Sequence, residues 1–265
     1  MSVEEMQEVV KSRLLTLKAK DGSGLYDKLK QTFVNFMGYS FLQWDHNFDI
    51  ANHIRAYNDE GGLPAQERYD ENSLRHIMEV VPGNPWKRGQ SPWEGLIINN
   101  YFLSDSSKPH NVFILRISHA IADGYSLKRA FLIATQTQIP EFDFSRFEPS
   151  LWKKILGVIV FPIRMFYDLA DQQFENASHG GNEWRIESKD ADYNFNFAVT
   201  NAFPVEIIKA IKNKYKVSYN AVLFAAVGAG MRRLMEESGQ NAPSSMACIL
   251  PVPKPRHPGG LTNHV

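Results

Sequence analysis

One short motif in the sequence has the residue types needed for proton-transfer chemistry. It comprises His119, Asp123 and Gly124 and follows the apolar run 111–118. An imidazole at the end of a strand can present one nitrogen to a cleft while its backbone stays fixed, as a base for an alcohol proton requires. Asp123 can cap the following helix or form a salt bridge, and Gly124 permits a close backbone approach. The pattern predicts that His119 is a general base and that Asp123 and Gly124 have structural roles.

A purely structural interpretation of the same motif is also open. In that interpretation His119 is a hydrogen-bonded histidine at a strand end. Asp123 and Gly124 are then simply residues of the types that are common in turns. The position of the motif between an apolar strand and a helix favours the chemical interpretation.

The segments around the motif predict how it is positioned. Residues 93–100 and 111–118 read as two strands of an antiparallel hairpin joined by the polar turn 104–110, and residues 125–136 read as a helix. The motif therefore lies at a strand-to-helix junction.

Hydrophobic periodicity and breaker residues divide the rest of the chain into an α/β (α+β) arrangement with a mixed sheet and flanking helices. We predict further helices over residues 3–20, 64–81, 151–170, 204–215 and 219–238, and strands over 38–44, 45–55, 193–200 and 246–252. We interpret residues 1–150 as a lobe carrying the motif, 151–190 as a crossover, and 191–265 as the start of a second lobe.

Composition narrows the class of partner. Lys plus Arg and Asp plus Glu are both 29, so no broad electropositive face for nucleic acid is expected. The single cysteine, Cys248, argues against a disulfide framework and favours an intracellular location. Residues 1–20 lack a secretory signal pattern, and the apolar run 155–163 is short and interrupted by Pro162, so we predict no membrane-spanning helix.

The octet Ile117-Ser118-His119-Ala120-Ile121-Ala122-Asp123-Gly124 resembles the HHxxxDG motif of acyl-CoA-dependent acyltransferases. Three further stretches narrow the resemblance to the wax ester synthase and diacylglycerol acyltransferase family: residues 44–54, the triplet Pro92-Trp93-Glu94, and residues 219–223. Residues 250–253 are similar to that family's proline-valine strand. The likeness runs over most of the chain, and the histidine motif is its most specific part.

The resemblance implies two chloramphenicol-acetyltransferase-like lobes with a tunnel between them, in which fatty acyl-CoA and a lipid alcohol meet. His119 matches the catalytic histidine, and the implied reaction moves a long-chain acyl group to a long-chain alcohol or diacylglycerol, giving wax ester or triacylglycerol without a cofactor. Ser118 stands where the family usually has its first histidine. Asn220, a possible support of the active site, is followed by Ala221 where the family usually has aspartate. By this likeness the chain begins after the family's opening strand and ends before most of the second lobe.

Two basic segments suggest binding partners, a lipid surface for one and coenzyme A for the other. Residues 151–170 contain Lys153, Lys154 and Arg164 among aromatic and aliphatic residues, which suits a membrane interface or lipid-droplet surface; a crossover helix that covers the core is the alternative. This places the protein in the cytoplasm or peripherally at the endoplasmic reticulum, plasma membrane or lipid droplets. Lys254 and Arg256 could contact coenzyme A phosphates or belong to a solvated loop.

No chemical role is predicted for the other histidines or for the acidic residues near position 45. Asp45, His46, Asp49 and His53 fall in a predicted strand where their spacing does not converge, so no metal site is predicted. Five other histidines have no partner at an informative spacing and are expected at the surface, namely His76, His110, His179, His257 and His264. Two other functions stay open: a non-catalytic acyl-lipid or acyl-CoA binding fragment, and a carrier-dependent condensation-type domain.

Overall fold

The computed structural model describes residues 2–58, 64–103, 106–138, 150–178, 195–200, 202–243, 246, 250 and 257–264. The chain divides into two compact units. The first unit combines residues 1–148, 193–198 and 251–265, and the second combines residues 149–192 and 199–250.

The first unit contains three α-helices and the strands found among the described residues. Its α-helices are α1 (Val3–Val10), α2 (Glu71–Val80) and α3 (Gly124–Ala134), and its strands are β1 (Gln31–Phe36), β2 (Tyr39–Trp44), β3 (Ile54–Ala56), β4 (Trp93–Tyr101) and β5 (His110–Ile117). A π-helical turn, Lys11–Leu15, extends α1, and short 3₁₀ turns cover Asp27–Lys30, Ile50–Asn52 and Val81–Gly83.

The strands form two sheets. β1 and β2 pair as an antiparallel hairpin, whereas β3 lies parallel to β4 and β4 lies antiparallel to β5. This mixed sheet with flanking helices confirms the α+β class. The chloramphenicol-acetyltransferase-like lobe stays a prediction.

The three-stranded sheet buries both of its faces because successive side chains of a strand point in opposite directions. Trp93 and Ile97 of β4 belong to a core with α1 and α3, while Leu96 and Ile98 belong to a second core with Ile77 of α2. The sheet is therefore packed against helices on both faces.

The second unit is helical in its described parts. It contains α4 (Leu151–Ser178), α5 (Val205–Tyr215) and α6 (Tyr219–Glu237). The Ser218 hydroxyl caps α6 by accepting the backbone N–H of Ala221 at 3.1 Å. α5 ends at Lys216 in the left-handed conformation with φ 53°.

Most predicted elements are confirmed, with boundary shifts at their ends, and two are wrong. The predicted strand over 45–55 is a series of turns that ends in β3, because the carboxylates of Asp45 and Asp49 accept the backbone N–H groups of Asn47 and Ala51. Residues 195–200 of the predicted strand 193–200 have no strand structure. Of the predicted strand 246–252, only Met246 and Leu250 are described, so it lies almost wholly outside the described residues.

Candidate functional site

His119 lies in a tight turn that links β5 to α3. The N–H of Ile121 donates to the carbonyl oxygen of Ser118 at 3.0 Å, so His119 and Ala120 are the two middle residues of the turn. The N–H of Ser118 donates to the carbonyl oxygen of Pro92 at 2.9 Å, which ties the turn to the chain entering β4. Ile121 is fully buried while His119 is exposed. The turn is thus anchored in the core and presents the imidazole at the surface.

The Asp123 carboxylate is buried where the turn meets α3. It is the N-cap of α3, and its Oδ1 accepts the N–H of Ser126 at 2.7 Å. Its Oδ2 accepts the N–H of His264 at 2.7 Å and lies 3.2 Å from Nε2 of His257. One carboxylate therefore joins the start of α3 to the segment 257–264.

These contacts shift the titration of Asp123. Burial alone would raise the pKa of this carboxyl, since it disfavours the charged form. The hydrogen bonds from the backbones of His264 and Ser126, and then from the His257 side chain, outweigh burial and lower the pKa of Asp123 to about 2. Asp123 is thus held as a carboxylate that only accepts hydrogen bonds.

His257 is a buried partner of that carboxylate, with 1% of its side chain exposed. Its Nδ1 accepts the N–H of Gly259 at 3.2 Å, which leaves the proton on Nε2, the nitrogen that faces Asp123. The expectation that His257 lies on the surface is wrong. The sequence does not predict this pairing, because His257 and Asp123 are 134 positions apart and no local spacing pattern relates residues so distant.

The segment 257–264 also contacts the turn that carries His119. The side-chain amide of Asn263 donates to the carbonyl oxygen of His119 at 2.9 Å and to that of Ala120 at 3.4 Å. The N–H of Asp123 donates to the carbonyl oxygen of Thr262 at 2.8 Å. Gly260, with φ +62°, lies so close to the Leu25 carbonyl that an added Cβ would collide with it. A glycine is therefore needed for this segment to reach the turn.

An apolar cavity of about 360 Å³ lies between α1, α3 and the sheet. Its sheet wall includes Phe113, Leu115 and Ile117 of β5, so it extends to within two residues of His119 along the chain. Two residues span at most about 7 Å between Cα atoms. Leu115 and Phe131, 47% and 59% exposed, leave the cavity open to solvent. The cavity can hold a hydrocarbon group, and its volume is in the range of ligand sites.

The triplet Pro92-Trp93-Glu94 forms part of the same region. Trp93 lines the cavity, and its indole N–H donates to the carbonyl oxygen of Leu29 at 2.8 Å. Glu94 bridges Arg55 and Arg116, each at 2.8 Å. Trp93 thus forms part of the cavity wall, and Glu94 of β4 forms ion pairs with β3 and β5.

His53 is a core residue. Its ring stacks on Phe48 and Trp93, with centroid separations of 5.1 and 4.6 Å, and its Nδ1–H donates to the Trp93 carbonyl oxygen at 2.8 Å. Burial is the largest cause of its lowered pKa. No group of three or more His, Cys, Asp or Glu side chains in the described ranges is arranged to hold a metal ion.

The structure brings together only part of the set predicted from sequence. Ser118, His119, Asp123 and Gly124 form one turn and helix start, in which Gly124 is the first residue of α3. Asn220 is an exposed residue of α6 in the second unit. Lys254 and Arg256 lie outside the described residues.

Comparison with known proteins gives a short similarity. Two proteins of Mycobacterium tuberculosis, from strains CDC 1551 / Oshkosh and ATCC 25618 / H37Rv, are each 37% identical to the chain over 64 residues, and each is named "Putative diacyglycerol O-acyltransferase". The matched stretch covers 23% of this chain and 13% of each relative, so the match spans about an eighth of the curated relatives' length. No family model matches the chain. This partial similarity supports a resemblance to acyltransferases over a limited stretch.

The second unit contributes a long amphipathic helix. α4 spans 28 residues, includes Pro162, and exposes Trp152, Ile159 and Phe166 by 68 to 79%. None of the helices, as far as the chain is described, is long and apolar enough to cross a membrane.

Proposed function

We propose that the protein transfers a long-chain fatty acyl group from acyl-CoA to a lipid hydroxyl, with His119 as the general base. The observation that carries this proposal is the pairing of an exposed imidazole on an anchored turn with an apolar cavity whose β5 wall ends at Ile117, two residues before His119. The partial similarity to proteins named as diacylglycerol acyltransferases supports the same reaction class.

The proposed chemistry needs only one base. The unprotonated nitrogen of His119 takes the proton from the alcohol hydroxyl, and the oxygen attacks the thioester carbonyl. A tetrahedral oxyanion forms and collapses as the carbon–sulfur bond breaks. The imidazolium returns its proton to the coenzyme A thiolate, so the products are an ester and free coenzyme A.

The apolar cavity supports a hydrocarbon substrate in this proposal. Each buried methylene contributes about 0.8 kcal/mol to binding, so a cavity lined by aliphatic and aromatic side chains favours a long acyl chain over a short one. A long-chain alcohol or diacylglycerol is the proposed acceptor, giving wax ester or triacylglycerol. Asn220, Lys254 and Arg256 are kept as proposed contributors to the active site and to coenzyme A binding.

A peripheral membrane or lipid-droplet location is part of the proposal because both substrates are lipids. The exposed aromatic and aliphatic side chains of α4, interspersed with Lys153, Lys154 and Arg164, suit an anionic lipid interface. Such a helix would lie at the surface of the bilayer.

Non-catalytic binding of an acyl lipid or acyl-CoA is the second candidate function. The cavity favours it, since an apolar site can retain a chain without any chemistry at His119. A condensation-type reaction would instead require the acyl donor on a carrier protein.

The test is ester synthesis from radiolabelled palmitoyl-CoA with hexadecanol or diacylglycerol. We expect His119→Ala to lower turnover by roughly 10²- to 10⁴-fold, while His76→Ala, the same change at an exposed position of α2, leaves it unchanged. Ester formation that survives His119→Ala would refute the proposed base. Retention of palmitoyl-CoA with no ester in the parent protein would favour the binding function.

A further inference from the structure

We infer that Asn263 is a positioning residue that selects the conformation of the turn carrying His119, and so the direction in which its imidazole is presented. The inference rests on the proposed function for its catalytic consequence. Its structural part stands on the two hydrogen bonds from the Asn263 amide to the carbonyl oxygens of His119 and Ala120.

The direction in which the His119 imidazole points depends on the backbone conformation of His119. No side chain in the ranges that the structure describes hydrogen-bonds to the ring. The rotamers open to a side chain depend on the φ and ψ angles of its residue. Whatever holds the backbone of His119 therefore also limits where the ring can point.

Asn263 contacts the most variable part of the turn. Turns of different type differ in the angles of their two middle residues, here His119 and Ala120, and hence in where the carbonyl between them points. An amide group has two N–H donors, and Asn263 directs this group to two successive carbonyl oxygens. A turn of another type would carry the His119 carbonyl away from the amide, so the contact selects one turn conformation.

The Asn263 amide is itself held in place by both of its chain neighbours. The carbonyl oxygen of Thr262 accepts the N–H of Asp123 at 2.8 Å and the hydroxyl of Ser126 at 3.1 Å. The N–H of His264 donates to the Asp123 carboxylate at 2.7 Å. Asn263 is itself exposed, but the residues before and after it are both hydrogen-bonded to the start of α3.

Asn263 is exposed, and its side chain bonds only to two backbone oxygens of one turn, so its loss should affect the conformation of that turn more than the stability of the whole fold. We therefore expect Asn263→Ala to act locally. Asn263→Asp is a sharper variant of nearly the same shape, because it places an acceptor against the two carbonyl oxygens in place of a donor.

The first measurement is amide hydrogen exchange in the 265-residue protein under native conditions. We expect Asn263→Ala to speed exchange at the Ile121 N–H by about tenfold, the effect of losing one hydrogen bond, and to leave the amides of β4 unchanged. Asp70→Ala is the matched control, because it removes the exposed N-cap of α2 without contacting the turn. It should leave Ile121 exchange as it is. Equal Ile121 exchange in the parent and both Asn263 variants would refute the inference that Asn263 selects the conformation of the turn.

The second measurement is the kinetics of ester synthesis. We expect Asn263→Ala to lower kcat roughly ten- to a hundredfold with the KM for palmitoyl-CoA within about twofold, because substrate contacts are kept while the base is misdirected. In a His119→Ala background the second change should have no further effect on the residual rate. A further drop of the same size would refute action through His119.

The two measurements separate failure of this inference from failure of the proposed function. A parent protein that makes no ester contradicts the proposed function, and exchange at Ile121 still decides whether Asn263 sets the turn. An active, His119-dependent parent whose kcat is unchanged by Asn263→Ala contradicts the inference and leaves the proposed function intact.

Discussion

The side-chain amide of Asn263 donates to the backbone carbonyl oxygen of His119 over 2.9 Å, across 144 positions of sequence. This contact belongs to a network whose centre is the buried Asp123 carboxylate. Asp123 accepts hydrogen bonds from the start of α3 and from the segment 257–264. Four predictions concern this network, the cavity and the surface of α4.

The Asp123 carboxylate should contribute strongly to stability. Asp123→Asn replaces one acceptor oxygen with a donor NH₂ among groups that all donate, from Ser126, His257 and His264. We expect the free energy of unfolding to fall by about 3 kcal/mol, measured by urea denaturation with tryptophan fluorescence. Asp70→Asn is the control, since an exposed N-cap accepts either residue at a cost of about 0.5 kcal/mol or less. Equal losses in both variants would contradict a special role for Asp123.

The stability from Asp123 should disappear in acid. The pKa of Asp123 is about 2 in the folded protein against an ordinary value of 3.8, so the unfolded chain takes up this proton first as the pH falls. The contribution is present above pH 3.8 and is lost as the pH falls through 3.8 to about 2. It amounts to about 2 kcal/mol.

The measurement is the difference in unfolding free energy between the parent and Asp123→Asn from pH 6 to pH 2. Other carboxyls with lowered pKa values, such as Asp21 and Asp70, titrate in both proteins and cancel in this difference. The difference should shrink by about 2 kcal/mol towards pH 2. A difference that stays constant over this range would show that the Asp123 carboxyl has no lowered pKa.

Filling the apolar cavity should shorten the chain that it accepts. Ala134 lines the cavity at the end of α3, and Ala134→Phe would occupy space otherwise open to about two methylenes. We expect affinity for a fluorescent sixteen-carbon fatty acid to fall about tenfold, with a smaller loss for a ten-carbon analogue. Ala56→Phe, at an exposed position of β3, is the control. Unchanged affinity in Ala134→Phe would locate chain binding elsewhere.

Association with anionic lipid should depend on α4. Charge reversal at Lys153, Lys154 and Arg164 should lower co-flotation with phosphatidylserine liposomes roughly tenfold or more, since each basic residue near such a surface contributes about 1 kcal/mol. The control reverses three lysines of α5 in the same unit: Lys209, Lys212 and Lys214. If both triple variants float like the parent, α4 is not the lipid-binding surface.

Local patterns in the sequence predicted elements whose form depends on neighbours along the chain. The hairpin of β4 and β5 and the helices α3, α5 and α6 follow from side-chain periodicity, and each begins or ends near its predicted boundary. Hydrophobic alternation does not predict β1, because its first four residues are all half-buried and its last two are both exposed. The strand predicted over 45–55 is instead a series of turns, because aspartate side chains accept backbone N–H groups there and hydrophobic alternation does not reflect such bonds.

The sequence by itself determined that His119 follows a strand and precedes a helix whose start Asp123 can cap, because these relationships join residues only a few positions apart. Only the tertiary structure decided which groups surround that turn. His257, Asn263 and His264 reach it from more than 130 positions away, and the cavity needs residues from α1, α3 and the sheet together. Such contacts depend on how whole elements pack, and packing is set by the sum of many burials and hydrogen bonds that no local spacing encodes.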